Sequence, residues 1–236
     1  PVQIGTSSWT SVSAGIVHTS AIKLGNSLWA WGAGGSGQLG QNNVTNYSSP
    51  VQVGTSSWTS VSTGGTHTMA IRSDNTLWGW GYNANGQLGQ GNLTHLSSPV
   101  QVGLLTNWKQ VSVGAQHSAA IKTDGTLWSW GKNNYGQLGL NDRTHRSSPV
   151  QVGTSSWSLV SAGASYSLAK TIDNTVYTWG SNSVNQTGII DPFVWTLGSP
   201  GILSIKKSVT EAISGPSISS TGLLSVWGNN SNGGLG

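Results

Sequence analysis

The stretch GGTHTMAIRSDNTLWGWGYNANGQLG, residues 64–89, decides the fold of this chain. Two short runs of alternating side chains, 67–73 and 76–81, lie on either side of Asp74 and Asn75. Runs of this length, separated by such a pair, predict two β-strands joined by a tight hairpin. Asp and Asn tolerate positive φ, so we expect a two-residue type I′ turn here. The pairs at the same place elsewhere are Gly25-Asn26, Asp124-Gly125 and Asp173-Asn174.

Two further strands complete the unit around this hairpin. The segment SSWTSVSTG at 56–64 precedes it and predicts a strand that ends at glycine. The segment SSPVQVG follows the GQLG turn and predicts a fourth strand, opened by a proline at Pro50, Pro99 and Pro149. Because proline has no N–H for a central ladder, we expect this strand at the edge of its sheet.

The whole pattern recurs along the chain. Units begin at Pro1, Pro50, Pro99, Pro149 and Pro200, with spacings of 49, 49, 50 and 51 residues. Four short strands in about fifty residues are typical of a propeller blade, and no stretch shows helical periodicity. We therefore predict one all-β repeat domain over 1–236. Its repeats are 1–49, 50–98, 99–148, 149–199 and a partial, divergent 200–236.

The recurring elements G-x-x-H-[ST], D-[GN]-T-L-W-x-W-G and G-Q-L-G resemble the RCC1 (regulator of chromosome condensation) repeat family. This resemblance covers nearly all of the chain and implies an RCC1-type β-propeller of seven blades. Four full blades and part of a fifth do not close such a ring. Further repeats then belong to a longer protein, the array is open, or a homo- or hetero-oligomer completes it. A start at Pro1, without methionine, fits a processed product or a piece of something longer.

Composition narrows the function classes. The 236 residues include no cysteine, which excludes disulfides, a thiolate nucleophile and a zinc–thiolate site. Only six residues are acidic, and Asp74, Asp124 and Asp173 belong to hairpins, so we expect no enzyme, no cofactor and no metal. The net charge of +4 is spread along the chain, which does not favour a nucleic-acid partner. The sequence contains no run of eighteen consecutive apolar residues, so it predicts no membrane-spanning segment.

Tryptophan recurs in three columns of the repeat, and we expect these rings to pack between blades. The columns are Trp9, Trp58, Trp108 and Trp157; Trp29, Trp78 and Trp128, with Tyr177 in the fourth place; and Trp31, Trp80, Trp130, Trp179 and Trp227. Light sensing, as in the tryptophan-rich UV-B photoreceptor of plants, is not favoured. The Trp-Arg pair that marks that member of the family is replaced here by residues such as Gly65-Thr66.

Histidine also recurs once per unit, at His18, His67 and His117, with Tyr166 in the fourth place. Histidine is a common metal ligand, but these copies belong to different blades and a tyrosine replaces one. A structural hydrogen bond fits this pattern better than a metal site.

The variable columns of the repeat lie in two loops, which are the expected binding surface on a rigid scaffold. The first loop spans 33–36, 82–85, 132–135 and 181–184, and the second spans 41–47, 90–96, 140–146 and 189–198. Simple drift of solvent loops is the alternative. The candidate partner-binding residues are Tyr82, Tyr135, Arg143, His145, Arg146, Phe193 and Trp195.

Three functions remain open at this point. We expect a non-catalytic structural or interaction module of a cell-surface, secreted or virion protein, because the repeats look like those of bacterial surface proteins and bacteriophage tail-fibre or appendage proteins. Its partner would be a protein or a glycan outside the cell. The alternatives are a guanine-nucleotide exchange factor for a small GTPase, as the family's namesake is, and a secreted propeller-type enzyme inhibitor.

Overall fold

The computed structural model describes residues 3–184 and 186–188, and the backbone of four strands beyond them. Contacts divide the chain into two units, Pro1–Thr187 and Gly188–Gly236. Every regular element in the described residues is a strand, and none of them forms a helix that could span a membrane. In the second unit the backbone forms two antiparallel pairs, β15 (Phe193–Gly198) with β16 (Ile202–Lys207) and β17 (Ser217–Ile218) with β18 (Leu224–Ser225).

The first unit consists of antiparallel sheets whose strands follow chain order. Its strands are β1 (Trp9–Ala14), β2 (His18–Lys23), β3 (Ser27–Gly32), β4 (Tyr47–Thr63), β5 (His67–Arg72), β6 (Leu77–Gly81), β7 (Leu96–Gln101), β8 (Trp108–Val113), β9 (His117–Lys122), β10 (Leu127–Gly131), β11 (Arg146–Gln151), β12 (Trp157–Ala162), β13 (Tyr166–Thr171) and β14 (Val176–Gly180). Strands β1 to β7 form one sheet, β8 to β11 a second, and β12 to β14 a third.

The seven-stranded sheet contains two blades, because the 17-residue strand β4 belongs to both. Its first part pairs with β3, with Gln52 opposite Trp29, and its last part pairs with β5, with Trp58 opposite Arg72. The all-β propeller prediction is confirmed, with three four-stranded blades and a three-stranded one in the first unit. Each blade begins at the strand that opens with a tryptophan, which is one strand later than the start of the proline-initiated sequence repeat. The five repeat boundaries and the single domain stay a prediction.

The hairpins differ from the predicted two-residue type I′ turns. The Arg72 carbonyl accepts from the Asn75 N–H at 3.0 Å, while the Arg72 N–H donates to the Thr76 carbonyl at 3.0 Å. The loop is therefore three residues long, and of the predicted pair only Asn75 has positive φ, 61°. Asp74 keeps negative φ because its carboxylate accepts from the Thr76 N–H at 3.0 Å. Of the four predicted pairs, only Gly25-Asn26 has both residues at positive φ.

The proline strands lie at the edges of their blades, as predicted, but proline does not open them. Pro99 is the fourth residue of β7, between positions 96 and 100, which oppose Gly81 and Gly79. Four residue steps along β7 therefore lie opposite two residue steps along β6. This mismatch is a β-bulge. A bulge leaves the missing N–H of proline outside the ladder.

The core lies between successive blades. Both faces of β5 are buried, since His67, Met69 and Ile71 point one way and Thr68 and Ala70 the other. Each central blade is thus covered on both sides. Four tryptophans are almost fully buried there, which confirms their packing role in the second and third blades. They are Trp58, Trp80, Trp108 and Trp130.

Candidate binding face and the contacts beneath it

The variable loops and the turns that precede the histidine strands emerge at the same end of the blades. Antiparallel strands alternate in direction, so the turn after a blade's first strand and the loop after its third lie side by side. The Tyr82 N–H donates to the Thr66 carbonyl, and the Lys132 N–H to the Gln116 carbonyl, both at 2.9 Å. We call this the loop end. It comprises the turns 14–17, 63–66, 113–116 and 162–165 and the loops 33–46, 82–95, 132–145 and 181–184.

A relay of hydrogen bonds joins each blade to the next below the loop end. Thr68 of the second blade donates its hydroxyl proton to the Gln38 carbonyl of the first at 2.9 Å. The Thr68 oxygen is also 2.8 Å from Nε2 of His18, and with its proton committed it accepts from that nitrogen. Two further relays repeat this arrangement: His67, Ser118 and Gln87, and His117, Ser167 and Gln137.

Burial keeps these histidines neutral. Desolvation lowers the pKa of His18 to about 4, that of His67 to about 3 and that of His117 to about 4. The relay confirms the structural hydrogen bond that the sequence predicted. In the described part of the chain, no three His, Asp or Glu side chains form a group that could hold a metal ion.

The GQLG turn is the other half of the same contact. The Gln87 carbonyl also accepts from Nε1 of Trp130 in the next blade at 2.9 Å. Gly89, at the end of the turn, has φ +72°, and a Cβ added there would lie 2.9 Å from that same indole nitrogen. Glycine is therefore required both by the backbone conformation and by the close approach of the ring. The carbonyls of Gln38 and Gln137 accept in the same way from Trp80 and Trp179.

Sequence analysis missed an asparagine that holds the loops of the second, third and fourth blades in place. Asn133 is fully buried, and its Oδ1 accepts from the Leu138 N–H while its Nδ2 donates to the Asp142 carbonyl, both at 2.9 Å. The Asn133 N–H donates to Nδ1 of His145 at 3.1 Å, which ties the two variable loops together. A signal was present in the sequence, because asparagine recurs at this place as Asn83 and Asn182.

Four predicted binding residues lie together on the loops of the third blade. Tyr135, in the first variable loop of this blade, is 54 % exposed. Arg143 and His145 are exposed in the second variable loop of the same blade. Arg146 is half-buried and pairs with Asp142 at 2.5 Å, so part of its charge is engaged within the loop.

The other predicted residues lie apart from that group. Tyr82 is half-buried in the second blade, where its ring lies 4.5 Å from that of His95. Phe193 and Trp195 lie in β15, whose side chains are outside the described residues.

A cleft of about 320 Å³ opens between the loops of the third blade and strand β14. Tyr135, Asp142 and Arg143 line one side, and Trp179 lines the other. The exposed ring of Tyr135 and the exposed cation of Arg143 at one opening are suited to recognition of a polar or aromatic group.

Repeated four-stranded sheets, joined to one another by the GQLG turn and by the hydrogen-bond relay, define a β-propeller repeat protein. The chain matches the family described as "Regulator of chromosome condensation (RCC1) repeat" over more than half of its length, at residues 26–71, 74–121 and 124–169. A second description of the same repeat matches 58–87, 108–137 and 157–186. The chain therefore belongs to the RCC1 repeat family.

Solved structures agree on the fold. Human WBSCR16 is 23 % identical, with a TM-score of 0.66, and the match covers 73 % of this chain and 47 % of that one. Prp20p from Saccharomyces cerevisiae is 21 % identical, with a TM-score of 0.72 and coverage of 80 % and 49 %. The chain thus spans about half the length of these proteins. Comparison with curated protein sequences finds no match.

Proposed function

We propose that this chain is a non-catalytic interaction module that binds a macromolecular partner through its loop end. The single observation behind this proposal is that the repeated polar residues bond to one another inside the array, whereas the variable residues are exposed on its surface. The repeated polar groups, such as His67, Ser118 and the Gln87 carbonyl, are bonded to one another inside the array. The variable side chains Tyr135 and Arg143 are exposed above it, on a scaffold that fixes their position.

The composition of this surface supports a protein or glycan partner. Tyrosine and arginine are the side chains that most often anchor protein interfaces, and the cleft beside Trp179 gives them a concave setting. A place outside the cell or on a virion, and a role in an oligomer that completes the array, are part of this proposal. They rest on the repeat composition and on the resemblance to surface and appendage proteins.

Affinity capture with matched variants tests the binding surface. We expect the double variant Tyr135→Ala/Arg143→Ala to reduce recovery of a captured partner at least tenfold, because two anchors are removed from the loop end. The control is Leu104→Ala/Lys109→Ala, two exposed residues at the opposite end of the blades. Equal recovery with both double variants would contradict a loop-end site.

The two alternative functions can be tested on the same protein. Prp20p binds Gsp1p and histones. If this chain acts as an exchange factor, it should accelerate release of a fluorescent guanine nucleotide from a small GTPase. If it is an inhibitor, a secreted hydrolase should be captured and should lose activity on binding. Acceleration of nucleotide release that Tyr135→Ala/Arg143→Ala abolishes would replace the non-catalytic proposal with the exchange-factor one.

A further inference from the structure

Two blades join their variable loops through a histidine. In the third blade the Asn133 N–H of the first variable loop donates to Nδ1 of His145 in the second variable loop at 3.1 Å. In the second blade the Asn83 N–H donates to Nδ1 of His95, also at 3.1 Å. A ring nitrogen accepts a hydrogen bond only while it carries no proton, so both contacts require a neutral imidazole with its proton on Nε2. We call these two contacts the histidine bridges.

The first blade makes the same contact without a titrating group. The Gly34 N–H, at the repeat position of Asn83 and Asn133, donates to Oδ1 of Asn46 at 2.8 Å. An amide oxygen does not take up a proton in the pH range in which histidine does. The first blade is therefore an internal control for the histidine bridges of the second and third.

Both bridging rings are open to solvent, unlike the rings of the relay. His95 and His145 are exposed, whereas His18, His67 and His117 are buried. Solvent can therefore deliver a proton to the bridging rings, and histidine is the side chain that changes charge between about pH 5 and pH 8. A proton on Nδ1 turns the acceptor into a donor, which then faces another donor, the backbone N–H. The hydrogen bond is lost in the protonated state.

The groups around His145 oppose a protonated ring. The third-blade loops and the strand that follows them place four charged side chains and one phenol here, which are Lys132, Asp142, Arg143, Arg146 and Tyr135. Asp142 is the carboxylate among them, and it is already paired with Arg146. The described loops of the blades on either side, 82–95 and 181–184, contain no Lys, Arg, Asp or Glu. The cations therefore repel a further positive charge on His145, which favours movement of the ring away from the loop.

The surroundings of His95 are less charged, and they also lack a carboxylate. The Tyr82 ring lies 4.5 Å from the imidazole. The loop-end loops of the first and second blades contain no Lys, Arg, Asp or Glu. Arg146 of the third blade, whose carbonyl approaches Gly86, is a charged residue beside this loop. A protonated His95 thus finds no carboxylate in the described loops of its own blade or of the first.

We propose that His95 and His145 are pH-sensitive bridges, which hold the paired variable loops together when neutral and release them when protonated. The closed loops take up no proton at Nδ1 and the open loops can, so a fall in pH shifts the loops toward the open state. The exposed residues of the loop end keep their arrangement only while the bridges are closed. Binding at the loop end is therefore strong at neutral pH and weak in acid, a consequence that, unlike the bridges themselves, rests on the proposed function.

Amide exchange of the intact protein tests the bridges without any partner. We expect the protection factors of the Asn83 and Asn133 amides to fall at least tenfold between about pH 7.5 and pH 5, after correction for the intrinsic pH dependence of exchange. The Gly34 amide, bonded to Asn46, should keep its protection. An equal change at all three amides, or no change at Asn83 and Asn133, would overturn the proposal.

A double variant identifies the histidines as the cause. His95→Asn/His145→Asn gives the second and third blades the acceptor that the first blade already uses. We expect the pH dependence of protection at Asn83 and Asn133 to disappear in this variant, because an amide oxygen does not titrate. The same tenfold fall in the variant would show that another group opens the loops, which would overturn the proposal.

Partner capture at the two pH values tests the consequence for binding. Recovery of the partner at pH 7.5 should exceed recovery at pH 5 at least fivefold for the wild-type protein, and the ratio should be near one for the double variant. A wild-type ratio near one would overturn control of binding by the bridges. Capture of no partner at either pH would count against the proposed function, whereas the amide measurement would still decide the bridges.

Discussion

At the residue scale, the hydroxyl groups of Thr68, Ser118 and Ser167 give the relay its direction. Each hydroxyl has one proton, and each gives it to the glutamine carbonyl of the preceding blade. The histidine of that preceding blade must then be the donor at Nε2, and it is neutral because burial lowers its pKa. A short side chain thus fixes the tautomer of a larger one.

Removing one hydroxyl should destabilise the protein without changing its shape. Thr68→Val keeps the volume of the side chain but breaks its bonds to His18 and the Gln38 carbonyl. We expect a loss of about 1–3 kcal/mol in the free energy of unfolding, because the His18 donor is left buried without a partner. Chemical denaturation measures this loss. The exposed residue Thr59 is the control, since Thr59→Val should change stability by less than about 0.5 kcal/mol. Equal effects would show that the relay contributes no stability.

At the scale of the element, the hairpins of the first three blades each carry a cation stacked on a tryptophan. The Arg72 guanidinium carbon lies 3.4 Å from the ring centroid of Trp78. The Trp78 N–H donates to the Thr76 hydroxyl at 2.7 Å, so the hairpin also orients the ring. In the fourth blade Thr171 and Tyr177 replace both partners together. Joint replacement indicates that cation and indole act as a pair.

A double-mutant cycle on Arg72→Met and Trp78→Leu should reveal that pairing. We expect a coupling of about 0.5–2 kcal/mol in the free energy of unfolding, the range for cations stacked on indole rings. Arg72→Lys is the control, because Lys23 and Lys122 occupy the same place over Trp29 and Trp128, at 3.6 Å. It should retain most of the coupling. A coupling near zero would mean that the two side chains are merely adjacent.

The strands could be predicted from the sequence because alternation, glycine and proline act locally. The turn type could not be predicted from the Asp74-Asn75 pair alone, because such a pair also suits a three-residue loop in which the Asp74 carboxylate accepts from the Thr76 N–H. The buried Asn133 was missed because one of its partners, the Asp142 carbonyl, lies in a second loop whose position depends on the fold. At the candidate site, sequence variation indicated Tyr135 and Arg143. Their shared cleft with Trp179 arises only when two blades pack together.

At the scale of the whole molecule, three buried relays make its stability depend on pH. In the folded state the pKa of each relay histidine is about 3 to 4, whereas an unfolded histidine titrates near 6.5. Unfolding therefore takes up protons below pH 6.5, and the folded state loses stability as the pH falls from there toward 4. The hairpin aspartates act in a separate, lower window, since hydrogen bonds from Thr76 and Thr126 lower the pKa of Asp74 and Asp124.

Denaturation at a series of pH values should show this dependence. We expect the free energy of unfolding to drop by on the order of several kcal/mol between pH 6.5 and 4, since one pKa unit corresponds to about 1.4 kcal/mol. His67→Gln can still donate to Ser118 but does not titrate, so its profile should be flatter in this window. A wild-type profile that is flat down to pH 4 would contradict the burial of the relay.

The central claim is that the repeated polar residues hold the blades together, whereas the variable loops bind the partner. Nitrogen-15 NMR of the imidazole rings across pH tests it most directly. The account predicts that His18, His67 and His117 stay neutral and protonated at Nε2 from pH 8 to pH 5. Titration of these rings near pH 6.5 would show that they are open to solvent, and protonation at Nδ1 would show that Nε2 does not donate to the hydroxyl. Either result would contradict the account.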